Sequence, residues 1–330
     1  MSTSVIGQSM LVEHAELRHV IQSWEALPLR DQLCWNAEDA SDCICDALLP
    51  GLAERGAVRL RLLDSPHRFK TKTLEWLLRS ISKQIGFLMP QTYKNNLTAR
   101  IRDEGKDYKA HNTRGHQTNA ELAFHSDRCD LNLLLYVRTA IEGGELSVVS
   151  YEEAARRLKR RSATVLGRLF EGFPFDLRDE RIFPSIAWYW RPILWNSDTG
   201  LRGHYIRRFV NDSQRHADCP RLSTEQIEAL DEFDGVLNAL RAEHAFSAMP
   251  GELLVMDNYR VMHARYGYRD SVSKRDGRLA IRTWVAPFNS QALPVFLFPM
   301  SGALAPGSFR GGVGRGNRYR QMLGKLSRPD

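Results

Sequence analysis

The segment that most limits the possible folds lies late in the chain, where GELLVMDN (251–258), VMHARYGY (261–268) and GRLAIRTWVA (277–286) follow in quick succession. Each is a short apolar run closed by turn-forming residues, the signature of strands that must pair with one another or with earlier strands. Earlier partners are available. AVRLRLL (57–63) alternates Val58, Leu60 and Leu62 with Arg59 and Arg61, which predicts a half-buried strand; residues 123–137 hold one or two strands, LSVVS (146–150) another, and 181–210 alternates aromatic and polar residues. Helical periodicity fills the intervals. Residues 11–55 read as mostly helical up to Gly56, an amphipathic helix starts at Leu74 and stops at Gly86, and further helices are expected over 151–170 and 223–246. The last opens with Ser223 as N-cap and Gln226 at the capping-box position. No repeat is visible. The pattern predicts one α+β domain, residues 1–305, built around a β-sandwich with a helical insert, followed by a basic tail, 306–330.

Charge could suggest other classes of protein. The formal charge is +7, and after residue 305 six Arg or Lys stand against one acid, with Gly interspersed. A tail of this kind can bind RNA or an acidic surface, or can simply be a loosely docked terminus, and composition does not choose between them. There is no run of eighteen apolar residues, so no membrane span is expected, and the first twenty residues do not resemble a secretory signal. The expected compartment is the cytoplasm. Five cysteines, with no C-x-x-C pair, predict reduced thiols rather than a disulfide framework or a thiolate zinc site.

Chemistry concentrates at Phe124-His125-Ser126-Asp127. On a strand His125 and Asp127 share a face, with Ser126 on the other, so an imidazole and a carboxylate can ligate one ion. The same parity excludes a Ser-His-Asp relay through Ser126, and no G-x-S-x-G elbow is present. A second imidazole would complete a two-His-one-carboxylate set with three open positions. His263, where an apolar strand runs into a polar loop, is the candidate. By itself the H-x-D pattern is weak evidence, since a lone histidine on a strand is more often a structural, hydrogen-bonded residue. Arg278 and Arg282 lie four apart on a strand and project together. They suit the carboxylates of a dicarboxylate co-substrate, or internal salt bridges to core acids, and the strand alone leaves both readings open.

Three stretches, TNAELAFHSD (118–127), EGGELSVVS (142–150) and GELLVMDNYRVMHARYGYRD through RLAIRTWV (251–285), together resemble the taurine dioxygenase (TauD/TfdA) family of Fe(II)/2-oxoglutarate oxygenases, clavaminate synthase-like. The resemblance spans roughly residues 55–290. It implies a double-stranded β-helix, a cupin-like jelly roll, with His125, Asp127 and His263 as iron ligands, Arg278 on the distal carboxylate of 2-oxoglutarate, and O2 as oxidant. It further implies Arg282 on an anionic group of the substrate, and Glu121 and Asn119 as substrate contacts, with Glu121 able to receive an ammonium. The family's hydroxyl after the Gly-Gly turn is replaced by Leu146, which leaves Ser147 as the nearest candidate. A carboxylate at Asp127, where related halogenases carry a small residue, points to hydroxylation or desaturation of a small anionic, amino-acid-like metabolite.

The aromatic run Trp188-Tyr189-Trp190 with Trp195, and the loop from Met89 to Gln117, are lid candidates; packing is the alternative for the aromatics. Two rival functions remain at this stage. A nucleic-acid demethylase would resemble R-x-N-x-T-x-R, whereas this chain has R-L-A-I-R. A non-catalytic cupin-like binding protein would not need all three ligands. A homo-oligomer is compatible with either reading.

Overall fold

Strand Leu131–Arg138 sets the layering of the molecule. Leu133, Leu135 and Val137 point to one side and join a core of buried helix residues, while Leu134 and Tyr136 point to the other and pack between two sheets. A strand apolar on both faces is buried on both, so it must lie inside a sheet covered on each side. The computed structural model describes residues 11–35, 37–107, 114–178, 185–271, 273 and 276–313.

The larger sheet has seven strands. In spatial order they are Leu11–Val12, Ala57–Arg61, Glu252–Asp257, Leu131–Arg138, Leu279–Pro287 and Gly86–Met89, with Ala99–Ile101 also paired to Leu279–Pro287. All pairings are antiparallel except the first. The smaller sheet runs Ala245–Phe246, Leu146–Ser150, Val261–Arg265 and Leu122–His125, antiparallel throughout. Helices Ala15–Glu25, Ser41–Arg55 and Thr71–Ile85 cover the outer face of the larger sheet. Helices Tyr151–Arg161 and Thr224–Arg241 contribute to a second core with Val149, Met262 and Ala264 of the smaller sheet. The molecule is thus an α+β fold with two sheets face to face between helical layers.

Local signals explain most boundaries. Gly56 closes helix Ser41–Arg55 at φ 76°, a left-handed position that favours glycine. Ser223 caps Thr224–Arg241 through the reciprocal bonds with Gln226 expected of a capping box. Other expectations need correction. The strand at 57–61 is not half-buried: Arg59 is buried and its Nη2 lies 2.9 Å from Glu252 Oε2 across the neighbouring strand, so an ion pair offsets a charge inside the sheet. The helix expected over 151–170 breaks at Ser162, which ends one helix and caps the next with its hydroxyl on Val165 N. Within 181–210, a helix begins at Arg207 where strand was expected.

The expected boundary at 305 also falls too early. Phe309 and Val313 pack with Met89, Cys129, Trp284 and Ala286, and Arg310 is buried against Asp130 at 2.6 Å. An arginine counted as tail charge is therefore a core ion pair; residues 314–330 lie outside the described residues. All five cysteines are free thiols. Among the described residues no helix is long and apolar enough to cross a membrane.

Candidate active site and metal centre

The two strands that carry the expected histidines are neighbours in the smaller sheet. His125 ends Leu122–His125 and stands in register with His263 of Val261–Arg265, and the ring centroids lie 4.3 Å apart. Asp127 follows two residues beyond the strand end. Its amide donates to Asn258 Oδ1 at 2.9 Å, which turns the backbone so that the carboxylate faces the two rings. One ligand atom from each of His125, Asp127 and His263 lies within 4.8 Å of the others. Ser126, on the opposite parity, is fully buried with its hydroxyl 2.7 Å from Tyr151 Oη.

The protonation states suit a cation. His125 Nδ1 lies 2.8 Å from the Ala123 carbonyl, so Nδ1 donates and the Nε2 lone pair stays available. Burial first, and then the neighbouring His125, push His263 down to about 3, which keeps its imidazole neutral. Its Nδ1 is buried with no hydrogen-bond partner. For Asp127, burial works against the charge. The Arg282 guanidinium and the two imidazoles outweigh it and hold the carboxyl well below the usual aspartate range. Two imidazoles, one carboxylate and an orphaned buried nitrogen fit an ion of the ferrous type.

Asp127 is held on one side only. Its Oδ2 accepts from Asn132 Nδ2 at 2.7 Å, Arg282 Nη1 at 3.0 Å and Trp284 Nε1 at 3.2 Å. Oδ1 accepts none of these. Arg282 is itself fixed by Gln91, whose Oε1 accepts from Nε at 2.8 Å. Behind the backbone, Arg191 Nη2 lies 2.9 Å from His204 Nδ1, and His204 Nε2 lies 3.2 Å from the Asp127 carbonyl. Burial and then Arg191 push His204 well below its usual value, so the ring is neutral, accepting at Nδ1 and donating at Nε2.

A cavity of about 190 Å³ opens beside these groups, lined from both sheets: Leu122, His125 and His263 on the smaller, Leu134, Tyr136 and Arg282 on the larger. Arg278 reaches it just before strand Leu279–Pro287. It is 4% exposed, lies between the Tyr136 and Tyr268 rings, and its Nη1 is buried without a hydrogen-bond partner. A buried guanidinium with a vacant donor is placed to take an anion.

Other expected residues are placed elsewhere. Ser147 is buried on the outward face of Leu146–Ser150 and donates to the Arg241 carbonyl at 2.9 Å, while Leu146 lines the cavity. Strand parity, which sequence spacing left ambiguous, decides this. Glu121 is exposed and paired with Arg241 Nη1 at 2.5 Å, and Asn119 is exposed with its carbonyl taken by Tyr268 N. Neither lines the cavity. Of the lid candidates, Arg114, Gly115 and His116 of the 89–117 loop line it, and residues 108–113 of that loop lie outside the described residues. Tyr189 and Trp195 pack in a core, and Trp190 is exposed.

Sequence reasoning missed Asn132, Trp284, Gln91 and His204. Two had a signal: Asn132 is the polar residue in an otherwise apolar run, and Trp284 shares a face with Arg282 two residues away. Gln91 and His204 had none, because their partners are 191 and 77 residues distant.

Comparison with known proteins agrees with this geometry. The family model described as taurine catabolism dioxygenase TauD, TfdA family matches residues 28–284. FR-33289 synthase of Streptomyces rubellomurinus (strain ATCC 31215) is 26% identical over 222 residues, 66% of this chain. The match spans 65% of that relative's length. Among solved structures, asparagine oxygenase in complex with Fe(II), 2S,3S-3-hydroxyasparagine and succinate is similar at a TM-score of 0.54 and 16% identity, over 82% of this chain and 83% of that one. The non-heme iron oxygenase OrfP in complex with Fe, succinate and (3S)-hydroxy-L-Arg is similar at 0.56 and 17% identity, over 84% and 93%. At such identities the likeness establishes the fold.

Proposed function

The chain belongs to the taurine catabolism dioxygenase TauD, TfdA family, and on that footing we propose that it is an Fe(II)- and 2-oxoglutarate-dependent oxygenase that hydroxylates a small anionic metabolite. The observation that carries the reading is the convergence of His125, Asp127 and His263 within 4.8 Å beside the unpartnered Nη1 of Arg278. The two facing sheets with the site between them fit a double-stranded β-helix. In the overall reaction, substrate C–H, O2 and 2-oxoglutarate become substrate C–OH, succinate and CO2.

When bound, ferrous iron supplies the oxidising chemistry, with 2-oxoglutarate as the source of two electrons. The chain's own groups do the rest. His125 offers Nε2 because its Nδ1 proton is tied to the Ala123 carbonyl. Asp127 offers Oδ1, because three donors occupy Oδ2. Arg278 fixes the far carboxylate of the co-substrate, which orients its other end toward the metal. Ile101, Leu122, Leu134 and Ala280 present apolar surface to the cavity and limit water. Arg282, assigned from the resemblance to the substrate, instead serves Asp127 in this reading.

The test is anaerobic iron binding followed by single turnover. Wild-type protein should bind one ferrous ion per chain and release succinate on admission of oxygen with 2-oxoglutarate and substrate. His263→Ala should do neither. Full succinate yield from that variant would refute the ligand assignment.

A further inference from the structure

A second cavity, of about 330 Å³, lies apart from the first and shares no lining residue with it. The hairpin Leu194–Ser197 and Gly200–Gly203 forms one wall, with Trp195 and Arg202 directly opposite each other across it. Helix Ser41–Arg55 adds Leu49 and Leu52, and Asp257 and Tyr259 enter from the end of strand Glu252–Asp257.

Most of the charge in this cavity is already matched. Arg310 pairs with Asp130 at 2.6 Å, and the Arg260 guanidinium donates to the carbonyls of Leu52, Ala53 and Glu54 at the helix end. Asp257 and Arg202 remain. Among the described residues the Asp257 carboxylate accepts one hydrogen bond, from Tyr259 N at 2.9 Å. Arg202 donates to Thr199 Oγ1 at 2.5 Å and to the Leu201 carbonyl at 3.5 Å. Both side chains belong to half-buried residues, yet among the described residues neither makes an ion pair. Burial pushes the Asp257 carboxyl up, with Arg202 pulling the other way; burial also lowers Arg202, with Asp257 opposing. Each charge therefore senses the other across partly desolvated space without touching it. Such an arrangement is costly unless a group of complementary polarity stands between them.

We propose that this cavity is an effector site for a zwitterionic α-amino acid with an aliphatic side chain. The ammonium sits on Asp257, the carboxylate on the Arg202 fork, and the side chain against Leu49, Leu52 and Trp195. A ligand with both charges on one carbon neutralises both residues. A simple amine or carboxylate satisfies one and leaves the other uncompensated.

The site backs onto the candidate metal centre. Asn258, between Asp257 and Tyr259, accepts the Asp127 amide at 2.9 Å. The Tyr259 ring lies 6.1 Å from that of His204, which donates to the Asp127 carbonyl. Occupancy thus bears on the backbone that presents Asp127, so the two sites are coupled through one short segment. Binding here is independent of the oxygenase reading; only its effect on turnover rests on that reading.

The test uses L-leucine and two analogues that each lack one charge, 4-methylpentanoate and isoamylamine. Each is titrated by calorimetry into metal-free protein near pH 7.5. Leucine should bind at least about tenfold more tightly than either analogue. Asp257→Asn and Arg202→Gln should each weaken it about tenfold. No binding of leucine, or an analogue binding as tightly, would overturn the proposal, and this wild-type comparison stands even if a variant fails to fold. Leucine affinity unchanged in both folded variants would also overturn it, by placing the amino acid in the catalytic cavity. Succinate release is then followed in iron-loaded protein supplied with 2-oxoglutarate and ascorbate. Leucine should change the rate at least about twofold in wild type and leave it unchanged in Asp257→Asn. A response that persists in that variant would refute the coupling. Absence of any succinate would count against the oxygenase reading and leave the binding result standing.

Discussion

Arg282 Nη1 lies 3.0 Å from Asp127 Oδ2, and both side chains are enclosed, at 8% and 12% exposure. The pair links an inward position on strand Leu279–Pro287 to a carboxylate at the end of Leu122–His125, so it ties the two sheets together at the candidate metal centre. With Asn132 and Trp284 on the same oxygen, it fixes which face of Asp127 is presented to an ion. This is second-layer support of the kind that sets ligand orientation and affinity.

Removing one of these donors should therefore be read in metal affinity before it is read in turnover. Asn132→Ala is expected to weaken Fe(II) or Co(II) binding by about 10–100-fold, the range for lost outer-layer partners. Anaerobic calorimetry with Co(II) checks it. Unchanged affinity in a folded Asn132→Ala protein would mean that the Oδ2 bonds do not orient the ligand.

Arg278 should act on the co-substrate and leave the metal alone. Arg278→Ala is expected to weaken 2-oxoglutarate binding by ~2–4 kcal/mol, the scale of truncating one partner of a buried charge pair. Co(II) affinity measured without co-substrate should stay within about twofold, since Arg278 makes no contact with the three ligands. A loss confined to metal binding would reassign the residue.

Acid should destabilise the fold through His204. Its folded-state pKa is depressed by burial, so the stability it contributes is fully present above its unfolded value of about 6.5 and is lost as pH falls toward the folded one. Each buried neutral histidine that must take a proton on unfolding adds a slope of about 1.4 kcal/mol per pH unit in that window. Urea unfolding between about pH 7.5 and 5.5 should show this slope reduced in His204→Asn. An identical pH dependence in the two proteins would contradict it.

Arg310 should matter as a core residue. It is buried against Asp130 and also donates from Nη1 to the carbonyls of Gln291 and Ala305. Arg310→Ala leaves a buried carboxylate uncompensated and is expected to cost about 3–5 kcal/mol in urea unfolding. A cost under about 0.5 kcal/mol, the surface-residue scale, would return this segment to the status of a tail.

What the amino-acid order determined was whatever depends on short-range periodicity and on motif spacing. Short apolar runs closed by turn residues placed the strands around 131–137, 146–150 and 251–286. The capping box at Ser223 located a helix start. His125, Asp127 and His263 could be singled out because H-x-D, a later histidine after a G-E-L-L-x-x-D-N strand and R-x-x-x-R follow in an order and at spacings that resemble a known family. What only the tertiary structure decided was partnership across distance and the parity of faces. Whether Arg59 meets solvent or Glu252, whether Ser147 or Leu146 faces the cavity, and whether Arg282 serves a substrate or Asp127 all depend on which strand lies alongside and in what register. A charged side chain carries no local mark of its eventual counterion, because the electrostatic gain that justifies burying it exists only once residues distant in sequence have been brought within a few ångströms.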